Sequence, residues 1–100
     1  MKGTNPTKEE KQLWSKMAAL GCIACIHDGY SNLHVSIHHI DGRTKHGSHK
    51  KVLPLCAQHH QHDDTDPAQR IGVHPYKARF EAKYGSQYDL LEETLSLINS

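Results

Sequence analysis

Cys22-x-x-Cys25 and Cys56-x-x-His59 are two ligand pairs of equal spacing, set far apart in the chain. No other feature limits the possible folds as strongly. Each pair places two metal-binding side chains on one tight turn. Two such turns brought together make a tetrahedral thiolate and imidazole set for Zn²⁺. All three cysteines of the chain are then engaged. Closing so long an interval with a metal offsets much of the entropy that a small domain must lose. That help matters here, because a chain of 100 residues buries only about two-thirds of its unfolded surface. Apolar residues make up 36% of the chain, so a single domain over 1–100 has a thin core, for which a structural metal is a common remedy.

The odd cysteine count rules out a closed disulfide framework. Met1 to Lys11 is polar, with no apolar stretch of the secretory type. No run approaches the roughly 18 apolar residues of a membrane span. The expectation is a reducing cytoplasm, where paired cysteines bind metal or do redox work. Redox chemistry of the thioredoxin kind needs a βαβ pattern around Cys22 and Cys25, and the sequence lacks one.

Residues 1–6 are expected to be a flexible lead. Thr7-x-x-Glu10 reads as a capping box opening a helix. Leu13, Trp14, Met17, Ala18 and Leu20 give that helix an apolar stripe, and Gly21 ends it. Leu33, Val35 and Ile37 alternate with His34, Ser36 and His38, the period of a half-buried strand. Val52, Leu53 and Leu55 form a second strand, with Pro54 arguing for an edge or a strand end. The two strands are expected to pair as a hairpin, and Cys56 to Asp64 suits a short helix. A connecting loop runs from Asp66-Pro67 to His74-Pro75. Tyr76, Phe80 and Tyr84 then mark a helix capped by Gly85. A last helix follows Ser86 and buries Leu90, Leu91, Leu95 and Ile98, so the C-terminal helices span 76–99.

Ten histidines are many for a domain of this size, and the zinc set uses one of them. His38 and His39 are neighbours on a strand, so their side chains point to opposite faces. One can bind a metal while the other works as a base. His60 follows the zinc ligand His59, and residues three and four further along share its helical face, which nominates Asp63 and Asp64. Such a set suits metal-assisted phosphodiester hydrolysis. A divalent ion on His38 and His60 would polarise the scissile phosphate. His39 would take a proton from the attacking water, a task suited to a group titrating near neutrality. The net charge of +1 does not itself announce a nucleic-acid binder. Between Gly42 and Leu55, however, Arg43, Lys45, Lys50 and Lys51 stand with no acid among them. Beside a metal site that run is a candidate phosphate-contact surface.

Taken together, Cys22-x-x-Cys25, His38-His39 and Cys56-x-x-His59-His60 resemble the zinc-braced HNH (ββα-metal) endonucleases over residues 20–64. The wider strings extend the likeness nearly to the C-terminus. They are His38-His39-Ile-Asp-Gly-Arg-Thr-Lys45, Leu53-Pro-Leu-Cys-Ala-Gln-His-His-Gln-His-Asp-Asp64, His74-Pro75 and Arg79-Phe-Glu-Ala-Lys-Tyr-Gly85. They are similar to the recombination enhancement function nucleases of phages and prophages, which cut DNA carrying a RecA filament. The resemblance implies an α+β fold: a small zinc-braced ββα-metal core with flanking N-terminal and C-terminal helices. It implies a structural Zn²⁺ on Cys22, Cys25, Cys56 and His59. A catalytic Mg²⁺ or other divalent ion would sit on His38 and His60, with Asp64 added from the helical-face argument. His39 would be the general base, and DNA and a RecA filament the partners. The family's middle Asn, which orients the base, has no counterpart here; Lys50 and Lys51 occupy that stretch, and His49 is the candidate to replace it. The alternative is a non-catalytic zinc module that binds DNA or a nucleoprotein filament through residues 42–51, for which His39 and His60 would have no use.

Overall fold

A computed structural model describes residues 5–42, 47–61 and 71–99, with Pro75 defined by its backbone alone. It shows a small mixed α/β chain with one two-stranded sheet and five α-helices among the described residues.

Helix α1, Lys8–Leu20, opens with the expected capping box. Thr7 Oγ1 accepts from the Glu10 backbone N–H at 3.1 Å, and Glu10 Oε1 accepts from that of Thr7 at 2.7 Å. Met17 is fully buried, and Leu13 and Trp14 pack beside the core. Ala18, expected in the apolar stripe, is exposed, because the buried face of this helix is narrow and centred on Met17. Gly21 ends the helix at φ 99°. A Cβ there would lie 2.7 Å from the Asn32 carbonyl oxygen, the same oxygen that accepts from Cys22 N–H at 2.8 Å. Glycine is therefore what lets the first cysteine pair follow the helix at once.

Helix α2, Ile23–His27, is a short turn with Cys22 as its N-cap. Strands β1, Val35–His39, and β2, Val52–Cys56, pair antiparallel with Val35 opposite Cys56 and His39 opposite Val52. Leu33 was expected in the strand but precedes it and is 60% exposed. Pro54 was expected at an edge or strand end, yet it sits mid-strand and is fully buried opposite Ile37. The register explains the tolerance. Ile40 N–H donates to Lys51 O, so the hydrogen-bonded pairs are the even residues of β1, and Ile37–Pro54 is a non-hydrogen-bonded pair. No ladder bond needs the N–H that proline lacks.

Every residue of β2 is buried, so this strand forms the centre of the core. Leu53 and Leu55 pack there with Ile23, Met17, Phe80 and Leu90. Each such side chain contributes about 1.5–3 kcal/mol on burial. β2 runs straight into α3, Ala57–His60, after which Gln61 turns extended and forms a parallel bridge with His74.

Helix α4, Val73–Tyr84, begins before the expected start, but His74 and Tyr76 depart from helical dihedrals, so regular helix follows Tyr76. Gly85 ends it at φ 104°. Helix α5, Gln87–Ile98, starts at Ser86, whose hydroxyl accepts from Asp89 N–H. Its inner face is Leu90 and Leu91 with Leu95 and Ile98 half-buried, as the pattern predicts, together with buried Gln87 and Thr94. Among the described residues no helix is long and apolar enough to cross a membrane.

Candidate metal centres

The hairpin brings Cys22, Cys25, Cys56 and His59 together from two places in the chain, all of them buried. His59 Nδ1 lies 3.5, 3.4 and 3.2 Å from the sulfurs of Cys22, Cys25 and Cys56. The Cys25 and Cys56 sulfurs are 3.7 Å apart. Around a tetrahedral Zn²⁺, bond lengths of about 2.3 Å to sulfur and about 2.0 Å to nitrogen require edges of roughly 3.5–3.8 Å. The four residues therefore fit a structural zinc in both donor type and spacing. The backbone N–H of Cys25 donates to Cys22 Sγ at 3.4 Å, and Asn32 Nδ2 donates to Cys25 Sγ at 3.8 Å, so these sulfurs sit among donors suited to thiolates.

Packed this closely, the thiols cannot all ionise by themselves. The hydrogen bond to Cys56 and burial push the Cys22 thiol up, while burial and the Cys56 charge push Cys25 up. The hydrogen bond from Cys22 draws the Cys56 thiol down against the effect of burial, with His59 assisting. A divalent cation removes that competition and favours thiolate at every sulfur.

On the other side of the His59 ring, Nε2 is 3.1 Å from Asp28 Oδ2 and 3.0 Å from the Tyr84 hydroxyl oxygen. Tyr84 donates to the same Asp28 oxygen at 2.7 Å, and Lys83 Nζ is 3.4 Å from Asp28 Oδ1. Burial raises the Asp28 pKa, but the Tyr84 hydroxyl, Lys83 and His59 outweigh it and hold the carboxyl below its ordinary value. Burial and Asp28 push the Tyr84 phenol well up, so it remains a donor. An ionised Asp28 fixes the proton of His59 on Nε2 and leaves the Nδ1 lone pair for the metal.

The second group lies one residue further along the same helix. His38, His60 and His74 have ligand atoms within 4.8 Å of one another, and their ring centroids are 5.2–5.3 Å apart. His38 comes from β1 and His60 from α3, and the Gln61–His74 bridge delivers the third ring. His38 is buried, His60 half-buried and His74 exposed, so the group opens to solvent on one side. Burial lowers the His38 pKa to about 4, assisted by His60, His74 and His39. Burial and His74 also lower His60. Neutral imidazoles are what a divalent transition metal needs.

His39 faces the other way, as strand geometry requires, and is not part of this group. Its Nε2 is 3.0 Å from His49 Nδ1, inside a pocket closed by Trp14. The Trp14 indole N–H donates to the His49 carbonyl at 2.8 Å, and its ring meets both imidazoles edge-on at 5.5–5.6 Å. His39 and His49 are both largely buried. Lys50 and Lys51 are exposed at the mouth of the hairpin. Arg43, Lys45 and Asp64 lie outside the described residues.

Of the residues expected to act, His38 and His60 come together, and His59 completes the closed set. His74 was read as the end of a loop and as part of the His74-Pro75 string of the family likeness, but not as a metal ligand. Asp28, Tyr84 and Gln87 give no sequence signal of metal proximity. Both groups fall within residues 6–99, which match the family model for recombination enhancement, RecA-dependent nuclease. The chain belongs to that family of nucleases.

Proposed function

We propose that this chain is a metal-dependent DNA endonuclease of the ββα-metal (HNH) type, acting on DNA that carries a RecA filament. The observation that carries this reading is the convergence of His38, His60 and His74 at an open site, one residue along from the closed zinc-type set. A structural role needs no second, solvent-facing group of ligands. Family membership supports a nuclease role in recombination.

The hairpin and α3 form the scaffold. When bound at the three imidazoles, a divalent ion supplies Lewis-acid polarisation of the scissile phosphate and stabilises the departing oxygen. Imidazole donors suit Ni²⁺ or Zn²⁺ better than Mg²⁺. His39 accepts the proton of the attacking water, whose oxygen bonds to phosphorus as the phosphorus–oxygen ester bond breaks. The His49 contact at 3.0 Å holds the His39 ring in place, the orienting task for which the sequence offers no Asn. Lys50 and Lys51, with Arg43 and Lys45 on the same connection, hold backbone phosphates.

The test is cleavage of duplex and single-stranded circular DNA with Mg²⁺, Mn²⁺, Ni²⁺ or Zn²⁺, with and without a RecA filament. The wild-type chain should cut, and His39→Ala should cut at least about 100-fold more slowly while still folding cooperatively with unchanged zinc content. Cutting at the wild-type rate by His39→Ala would remove His39 as the base. A folded, zinc-loaded wild type that binds the filament without cutting would leave the chain a binding module.

A further inference from the structure

Gln87 is the first residue of α5, far in sequence from every residue of the two metal groups, yet its side chain reaches one of them. Its Oε1 lies 2.7 Å from His38 Nε2. Both residues are buried, with 3% of Gln87 and 4% of His38 exposed. The base of the Gln87 side chain is fixed from two directions. Its backbone N–H donates to Glu81 Oε2 at 3.1 Å, which ties the end of α4 to the start of α5. Ser86, immediately before it, caps the helix.

We propose that Gln87 is a positioning residue of the open site: its carbonyl holds the Nε2–H of His38 and so commits Nδ1 to the metal. This rests on the reading of the open site as a metal centre. The argument is one of tautomers. A neutral imidazole has one N–H and one lone pair, and the partner of one nitrogen decides the role of the other. A carbonyl oxygen at Nε2 can only accept, so the proton stays on Nε2 and the lone pair on Nδ1. The reverse arrangement, with the amide nitrogen donating to Nε2, would place the proton on Nδ1 and leave neither nitrogen able to bind an ion. Partners of this kind orient the ring as well as setting its proton, and their loss typically costs about 10–100-fold in metal affinity. A ligand on β1 is thereby held by a helix that lies outside the hairpin and α3. The C-terminal pair of helices, α4 with His74 and α5 with Gln87, completes the open site rather than merely covering the core.

The test is Co²⁺ titration of the zinc-loaded full chain, followed by visible absorption, for the wild type, Gln87→Ala and Gln87→Glu. The wild type should take up one further equivalent. Gln87→Ala should bind it about 10–100-fold more weakly, with unchanged zinc content and a native circular dichroism spectrum. Gln87→Glu keeps an accepting oxygen and should restore affinity to the wild-type level or better. Equal or tighter binding by Gln87→Ala would overturn the assignment, since Gln87 would then only compete with the ion for Nε2. Failure of Gln87→Glu to restore binding would also overturn it. If the wild type takes up no further equivalent, the open site is not a metal centre and the proposal falls with it, an outcome distinct from a wild type that binds while Gln87→Ala binds equally well.

Discussion

His59 and His60 are consecutive residues of one short helix, but they serve two unlike groups. The set containing His59 is closed: four ligands, three of them sulfur, all buried, and a second layer of Asp28, Tyr84 and Lys83 behind the imidazole. The set containing His60 is open: three imidazoles, graded from buried to exposed, with a single amide behind His38. A closed four-ligand set satisfies a metal completely and can only brace the fold. An open three-ligand set leaves positions for water and substrate. Burial and ligand count thus distinguish the two groups, although His59 and His60 are consecutive residues.

The contrast can be broken most directly at Cys56. Cys56→Ala should abolish cooperative unfolding at 25 °C, because apparent zinc-binding energies of about 10 kcal/mol or more exceed what a core this small supplies. Calorimetry with zinc analysis checks it, and a variant that melts like the wild type would make the closed set dispensable. His74→Ala should do the opposite: melting within about 0.5 kcal/mol of the wild type, as for other surface changes, but cleavage reduced more than the roughly 100-fold that a lost supporting residue costs. Wild-type cleavage would leave the open site with two imidazoles and His74 as a bystander.

Asp28→Asn sharpens the comparison from the second layer. It should accelerate zinc loss to a chromophoric chelator by about 10–100-fold while leaving the uptake of a further ion at the open site unchanged. Equal loss at both sites would mean that the two groups are not independent. The smallest effect belongs to Lys50→Ala/Lys51→Ala. Two fewer phosphate contacts should flatten the dependence of log K on log salt by about two units, so that binding falls at low salt and barely at high salt. A loss independent of salt would point away from phosphates.

Much of this arrangement is legible in the sequence because it is local. The capping box at Thr7, the two ligand pairs and the alternation leading to His38 each depend on residues within a turn or a strand. What escapes is what depends on the return of the chain. Asp64 is nominated on the expectation that the helix after Cys56 runs on; α3 ends at His60, Asp64 itself lies outside the described residues, and the Gln61–His74 bridge brings in a third imidazole from beyond the next segment. Gln87 and Tyr84 read as ordinary helix residues until packing sets them against imidazoles. Leu33 and Ala18 mislead for the opposite reason: periodicity carries a buried face past the start of β1 in the one case and across too wide an arc of α1 in the other.

The adjacency of His59 and His60 has a consequence for how such a chain can vary. One residue inserted between them would swing the second imidazole about 100° around the helix axis, out of reach of His38 and His74, while the zinc set stayed whole. Length changes beyond Gln61 need only preserve the bridge to His74. Relatives that differ in length should therefore gain and lose residues after this helix and never within the His59–His60 step, which works as a fixed ruler between brace and blade.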